Sequence, residues 1–250
     1  MTESNQPVCL NCGSKTAEDY CISCGQSTSV GRITFRETIN DFFSSTFALE
    51  GPLFSTIKLL IVNPGRLFRE FISGRRKNYY KPVAFFVVLT AVYLILREAS
   101  GYDPFHGQQR MQSENIPDRA VLFVAAGKFM VANINNILFF LVFSIGLTQK
   151  LFFYKKYNLA EYLVVGFFVA GIYLLIGMAY ILFTVFVFYV HPQINMLFLF
   201  LLILYASISF HLNVTFSSVI KHILASLMAV ILYVILGYGF SVLMVYFGLG

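Results

Sequence analysis

The feature that most constrains this chain is the near absence of charge from its C-terminal half. Residues 132–250 contain a single acidic residue, Glu161, and four lysines, namely Lys150, Lys155, Lys156 and Lys221. A soluble domain of this size needs far more charged surface than that. The C-terminal half is therefore expected to face lipid, which excludes a soluble enzyme, a disordered chain and a disulfide-rich secreted domain.

Uncharged runs in the sequence predict about five transmembrane helices, because a span needs about 20 mostly apolar residues. The predicted spans are 82–97, 130–152, 161–190, 193–211 and 220–247. The runs are continuously apolar, whereas the strands of a membrane barrel alternate. The fold class is thus an all-α membrane protein with a transmembrane domain over 82–250. The first run is short, and a re-entrant or interfacial helix is the alternative for 82–97.

Loop cations predict the orientation, because lysine and arginine concentrate on the cytoplasmic side of membrane proteins. Cations precede the first predicted span and follow the second and the fourth, whereas the loop 98–128 mixes cations with acids. With five spans the three cationic loops fall on one side. We expect a multi-pass protein with a cytoplasmic N-terminus and a C-terminus outside. The first thirty residues are polar and lack the apolar core of a cleavable signal.

All four cysteines of the chain form two Cys-x-x-Cys-Gly pairs: Cys9, Cys12, Cys21 and Cys24. Two such pairs supply the tetrahedral thiolate set that suits Zn²⁺. The glycine after each pair permits a turn whose amides face the sulfurs. The pattern predicts a structural zinc ribbon over residues 7–27. A closed four-ligand site makes catalysis at the metal unexpected.

Other uses of these cysteines fit the sequence less well. A redox pair of the thioredoxin type needs a βαβ context, which the pattern lacks. Two disulfides would need an oxidising compartment, whereas the predicted topology places this segment in the cytosol. An iron–sulfur cluster also uses four thiolates, but the spacing is closer to that of zinc ribbons.

Residues 33–81 are expected to form an amphipathic helical neck between ribbon and membrane. Thr34-Phe35-Arg36-Glu37 has the pattern of a capping box and begins a helix that reaches about residue 48. Two shorter helices are expected over 53–62 and 64–74, separated by Asn63-Pro64-Gly65. The neck helices could lie in the lipid headgroup layer or pack against the membrane helices as protein core. The sequence leaves both arrangements open.

A cluster of cations precedes the first span, at Arg75, Arg76, Lys77 and Lys81. Each attracts anionic lipid by about 1 kcal/mol near a membrane surface. The cluster indicates an anchor on the cytoplasmic side, and a pocket for an anionic lipid or ligand is the alternative. Nucleic-acid binding is not favoured, because the predicted ribbon has only Lys15 against two acids.

A set of short motifs is distributed over residues 7–85. They are the two Cys-x-x-Cys-Gly pairs, Gly25-Gln26, Arg32-Ile33-Thr34, Asn63-Pro64-Gly65 and the run from Phe71 to Pro82. Together they resemble an uncharacterised bacterial family, the domain of unknown function 3667, in which a zinc ribbon precedes several membrane spans. The resemblance implies a protein of the bacterial inner membrane with a cytosolic ribbon, and it implies no activity.

Few polar groups fall within the predicted spans, where their burial would be costly. Asn133 and Asn136 form a candidate intramembrane cluster one turn apart, either as hydrogen bonds between helices or as the lining of a cavity. Glu161 opens the third span and is expected to pair with Lys155 or Lys156, or to titrate in a conduit. Histidines 211 and 222 are expected to be neutral interfacial residues rather than ligands.

Three functions remain open at this point. The favoured one is a non-enzymatic membrane protein whose zinc ribbon recruits or senses a cytosolic partner. The second is a small transporter, or a membrane effector that forms a pore as a homo-oligomer. The third is a lipid-active membrane enzyme that holds a headgroup at the basic neck. No catalytic motif occurs in the sequence, and membrane lipids are expected partners under all three.

Overall fold

The computed structural model describes residues 8–16, 18–35, 52–105, 118–188, 194–211 and 215–248. Within these ranges the chain forms eight helices and only isolated bridges of β-structure. The helices are α1 (Pro52–Val62), α2 (Pro64–Ile72), α3 (Pro82–Ala99), α4 (Asp118–Ala132), α5 (Ile134–Phe152), α6 (Leu159–Phe186), α7 (Ile194–Phe210) and α8 (Phe216–Tyr246). The predicted neck helix that begins at Thr34 lies almost wholly outside the described residues.

Three prolines begin the first three helices. Pro52, Pro64 and Pro82 each occupy the first helical position, where the missing amide hydrogen has no intrahelical partner to lose. The side chain of Asn63 caps α2 by accepting a hydrogen bond from the amide of Arg66 at 3.1 Å. Helix α2 is followed by Gly74 at φ +104°, a left-handed conformation that favours glycine.

Three of the described helices are long and apolar enough to cross a membrane, namely α3, α6 and α8. Helix α3 continues past the predicted end of the first span, because Arg97 and Glu98 lie in its last turn. It reaches 18 residues, so the short first run becomes a helix of spanning length. Helix α7, which corresponds to the predicted fourth span, has 17 residues and is shorter than a typical span.

The predicted second span, 130–152, is not one straight helix. Helix α4 ends at Ala132, α5 begins at Ile134, and the two are bent by 87°. Asn133 lies at the break and donates its side-chain amide to the carbonyl of Phe129 at 3.1 Å. Among the described residues, three helices are long and apolar enough to cross a membrane, or four if this bent pair crosses as one unit. The side chain of Asn136 lies outside the described residues.

Helix α6 is the centre of the bundle. It packs against α3 and α5, and α8 packs against α4, α5 and α7. Most of α6 is buried, whereas only about a third of the residues of α3 and of α8 are buried. The exposed positions of α8 are predominantly large and apolar, among them Ile223, Leu227, Ile231 and Ile235. A continuous exposed apolar surface of this kind suits lipid rather than water.

Helix α2 of the neck packs into the protein instead of lying free at a surface. Its Leu67, Phe68 and Phe71 are buried, and the ring of Phe68 contacts those of Phe168 and Phe210. The close approach to α7 depends on Gly65, because a Cβ there would lie 1.7 Å from the carbonyl oxygen of Ser209. Of the two arrangements left open by the sequence, α2 adopts the packed one.

Candidate metal centre

The four cysteines lie on two turns of the same design. In the first, the amide of Cys9 donates to the carbonyl of Ser14, and the amide of Gly13 donates to the carbonyl of Cys9, both at 2.9 Å. The second turn, over 21–26, repeats the two bonds at 2.8 and 2.6 Å. Gly13 and Gly25 have φ of 79° and 69°, a conformation that a side chain would strain. The glycine after each cysteine pair is thus required by the turn.

The sulfur atoms converge across the two turns. All four Sγ atoms lie within 4.8 Å of one another, with Cys9 and Cys24 at 3.6 Å and Cys12 and Cys21 at 3.5 Å. Tetrahedral metal–sulfur bonds of about 2.3 Å separate sulfur atoms by about 3.8 Å. The contacts are too long for disulfide bonds, which measure about 2.05 Å. The arrangement therefore fits a metal ion held by four thiolates.

The surroundings of the cluster favour thiolate at two of the four sulfurs. Backbone amides of Cys12 and Asn11 donate to the sulfur of Cys9 and lower its pKa. The side chain and then the amide of Ser14 lower the pKa of Cys12 to about 6. Thiolates are the metal-binding form of cysteine. With four protein ligands no coordination position stays open, so the metal would have a structural role.

Gln26 attaches this cysteine module, defined as residues 8–16 and 18–31, to the segment between α2 and α3. Its side-chain amide donates to the carbonyl of Gly74 at 2.8 Å. Its side-chain oxygen accepts hydrogen bonds from the amides of Arg76 and Lys77, both at 3.1 Å. Gln26 is almost fully buried, so all three bonds are shielded from water. In the Gly25-Gln26 dipeptide, the glycine thus forms the turn and the glutamine attaches the module to the neighbouring segment.

The first cysteine turn also contacts this segment. The side chain of Asn11 hydrogen-bonds that of Asn78 at 3.3 Å. A Cβ at Gly74 would lie 2.7 Å from Cδ1 of Leu10, so glycine permits the close approach. The guanidinium of Arg76 donates to the carbonyls of Gly31 and Phe71, at 2.8 and 3.3 Å. The cationic segment before the first span, residues 73–81, is therefore the surface on which the cysteine module docks, and we call it the docking segment.

A second attachment joins the module to the start of α6. Arg32 donates to both carboxylate oxygens of Glu161, at 2.9 and 3.2 Å. Glu161 also accepts the amide of Asn158, whose side chain caps α6 and donates to the carbonyl of Ile33 at 3.2 Å. The expected pairing of Glu161 with a neighbouring lysine is wrong, because the folded chain brings Arg32 to this carboxylate. The pairing raises the pKa of Arg32.

The predicted anionic-ligand residues are not equivalent in the structure. Arg76 already donates hydrogen bonds to the carbonyls of Gly31 and Phe71, and its guanidinium also lies 5.7 Å from the ring centre of Phe71. Arg75 and Lys77 are exposed, and Lys81 is partly buried. Their role towards lipid stays a prediction, with the exposed pair best placed for it.

An ion-pair network supports the docking segment from α2. Glu70 accepts hydrogen bonds from the hydroxyl of Tyr79 and from Arg66, the latter at 2.8 Å. Burial works to raise the pKa of Glu70, but these bonds and the charge of Arg66 lower it overall. Desolvation and the contact with Glu70 raise the pKa of Tyr79 to about 12.

A buried polar cluster lies between α5, α7 and α8, and no sequence motif indicated it. Ser207 hydrogen-bonds the side chain of Gln149 at 2.9 Å and Nδ1 of His222 at 2.7 Å, while its carbonyl faces Nδ1 of His211 at 2.9 Å. A carbonyl only accepts, so the proton of His211 is assigned to Nδ1. The one available signal was the spacing of Ser207 and His211, one helical turn apart.

A cavity of about 170 Å³ lies between α3, α5, α6 and α7, away from the cysteine module. Its lining is mostly apolar and aromatic and includes Tyr93, Tyr173 and Tyr180, with Arg97 as its cation. Pockets for small molecules usually measure about 300–1,000 Å³. The cavity therefore gives no specific support for a transported solute.

The comparison with known families confirms the resemblance to an uncharacterised one. A family described as "Protein of unknown function (DUF3667)" matches residues 50–94, which is less than half of the chain. The matched part contains α1, α2, the docking segment and most of α3, but not the four cysteines. No curated protein and no solved structure shows significant similarity to the chain.

Proposed function

We propose that this chain is a bacterial inner-membrane protein whose zinc-bound cysteine module recruits or senses a cytosolic protein. The observation that carries the proposal is the double attachment of the module, through Gln26 to the docking segment and through Arg32 to α6. A tethered tail would meet a partner in any orientation. A clamped module presents one orientation, and a partner bound there is held at a fixed position on the membrane.

Zinc is the metal of this proposal because four converging thiolates are its usual structural donor set. A module this small buries little apolar surface of its own, so bound metal would supply most of its folding free energy. The clamps then depend on the metal, since Gln26 follows Cys24 by two residues and Arg32 follows the module directly.

The positions of the loop cations support the proposed orientation. Lys155 and Lys156 precede α6, whose first turn contacts Arg32, and the docking segment carries Arg75 and Lys77. These cations lie at the same end of the bundle as the cysteine module. The positive-inside rule assigns that end to the cytosol, with anionic lipid as a second ligand for the exposed cations.

The proposal is tested by separating the module from the membrane domain in cells. We compare the full chain with a variant lacking residues 1–30 and with the four-serine variant Cys9→Ser, Cys12→Ser, Cys21→Ser and Cys24→Ser. We expect the full chain to bind one zinc ion. Both variants should fail to complement a strain that lacks the gene, and both should lose the cytosolic proteins that proximity labelling detects near the full chain. Membrane insertion should persist in both. Full complementation by the chain lacking residues 1–30 would overturn the proposal.

A further inference from the structure

The residues on either side of the leading cysteine of each turn point away from the metal site. Cys9 and Cys21 are 3% and 2% exposed, whereas their neighbours are exposed apolar residues, Val8 and Leu10 in the first turn and Tyr20 and Ile22 in the second. In each turn the buried cysteine is thus flanked by an exposed apolar residue on either side. Each cysteine turn therefore displays an apolar pair on its outer surface.

The two pairs have different surroundings, although the turns share one design. Leu10 lies against Gly74 of the docking segment, and its neighbour Asn11 hydrogen-bonds Asn78. By contrast, Tyr20 is 66% and Ile22 is 83% exposed. Among the residues that the structure describes, none covers this second pair. Leu10 thus faces the docking segment, whereas Tyr20 and Ile22 remain exposed even though Gln26 of the same turn is bound to the docking segment.

The charge beside the second pair decides what can bind there. Glu18 and Asp19 directly precede Tyr20, and both are exposed. An anionic lipid surface would be repelled by these two carboxylates. A protein segment that carries lysine or arginine next to apolar side chains would be attracted by both features.

We infer that Tyr20 and Ile22, flanked by Glu18 and Asp19, form the surface that binds a soluble protein through a basic and apolar segment. The inference rests on the proposed function and names the partner class. Tyrosine at the centre of an interface buries a large area at low entropic cost, and a few such residues dominate affinity. The surface is held in one orientation because Leu10 and Gln26 attach other parts of the module to the docking segment.

The first experiment maps contacts in living cells. The full chain carries the photo-crosslinking residue p-benzoylphenylalanine in place of Ile22, or in place of Val8 as the matched position of the first turn. We expect position 22 to crosslink a soluble protein through a peptide of net positive charge, and position 8 to give at most a trace. Crosslinks at position 22 only to lipid, only to a second copy of this chain, or to nothing would overturn the inference.

The second experiment measures affinity with that identified protein and the purified full chain in nanodiscs. Ile22→Ser and the pair Glu18→Lys with Asp19→Lys should each weaken binding by about tenfold or more, whereas Val8→Ser should leave it within about twofold. Zinc content should be equal in all variants, which separates surface loss from unfolding. Equal affinities for Ile22→Ser and Val8→Ser would overturn the inference.

The two proposals fail in different ways. If removal of residues 1–30 abolishes recruitment but crosslinks form only at position 8 or on the docking segment, the recruiting function stands and this surface is wrong. If no position on the module crosslinks a protein and the truncated chain complements fully, both proposals are overturned.

Discussion

Glu161, at the start of the most buried of the three candidate spans, accepts two hydrogen bonds from Arg32, a residue 129 positions earlier in the chain. The carboxylate is 4% exposed, and it also completes the capping box of α6 with Asn158. One side chain therefore joins the cysteine module to the centre of the membrane bundle.

We expect Arg32→Gln and Glu161→Gln each to lower the thermal unfolding temperature in detergent, and the double variant to lose less than the sum. The pair is lost once either partner is removed, so the second change has less left to break. Glutamine at 161 still suits the capping box, which limits the effect to the ion pair. The pair Lys155→Gln with Lys156→Gln serves as control. The effect of this control should add to that of Glu161→Gln, because neither lysine pairs with Glu161. If the effects of Arg32→Gln and Glu161→Gln were also additive, the pairing of Arg32 with Glu161 would be contradicted.

Gln26→Ala should release the module from the docking segment while leaving the metal bound. The substitution removes three buried hydrogen bonds and leaves a carbonyl and two amides unpaired, at a cost of about 1–3 kcal/mol. Limited proteolysis between residues 26 and 52 should become faster, with unchanged zinc content. Ser29→Ala, at an exposed position nearby, should behave as wild type. Unchanged protection in Gln26→Ala would show that the clamp contributes nothing.

Metal removal should unfold residues 7–27 and leave the membrane helices intact. Free energy from the metal–thiolate bonds replaces the core that so short a segment lacks. A strong chelator should abolish the hydrogen-exchange protection of the module, and added zinc should restore it. Protection of α6 and α8 should not change. Loss of protection throughout the bundle would mean that the module is an integral part of the membrane fold.

Gly65→Ala should separate α2 from α7. The new methyl group would overlap the carbonyl oxygen of Ser209 and displace the hydrogen bond from the Gly65 amide to the Ser209 hydroxyl. Overpacking of this kind costs about 1–3 kcal/mol or more. Gly239→Ala in α8 is the matched control, because a Cβ there meets open space. The unfolding temperature should fall only in Gly65→Ala.

Tyr79 should make the stability of the docking segment depend on pH in the alkaline range. Its pKa in the folded protein is about 12, above the ordinary value of 10, so the folded state holds this proton more tightly. The stability it contributes is complete below pH 10 and is lost as pH rises towards 12. Subtracting the stability profile of Tyr79→Phe from that of the wild type should isolate this loss. A flat difference over this range would contradict the raised pKa of Tyr79.

At acidic pH, the stability of the docking segment should depend on Glu70, the partner of Tyr79. The pKa of Glu70 is lowered in the folded protein, so its contribution is present above the ordinary value of 4.5 and is lost as pH falls below it. In Glu70→Gln, this loss of stability below pH 4.5 should be absent. The same pair of residues thus accounts for both limits of the docking segment's stability.

Local patterns predicted the parts of this protein that depend on near neighbours. The cysteine spacing sufficed to predict that the four sulfurs converge, because each turn is closed by backbone bonds within six residues and requires its glycine. The prolines at 64 and 82 marked helix starts because their ring fixes the backbone there. The apolar runs predicted lipid-facing helices, since the loss of charge alone excludes a water-facing surface.

Contacts between distant parts of the chain could not be predicted in this way. A glutamine such as Gln26 has no local signature for a clamp, and the cations at 75–77 look like lipid anchors until one of them is found on a carbonyl. The bend at Asn133 could not be predicted from the sequence either, because an uncharged run does not show where a helix changes direction. Composition, spacing and turn chemistry thus determined the class of protein and its candidate metal site. Only the tertiary structure decided that the cysteine module is clamped to the bundle, because that depends on which side chains meet in space.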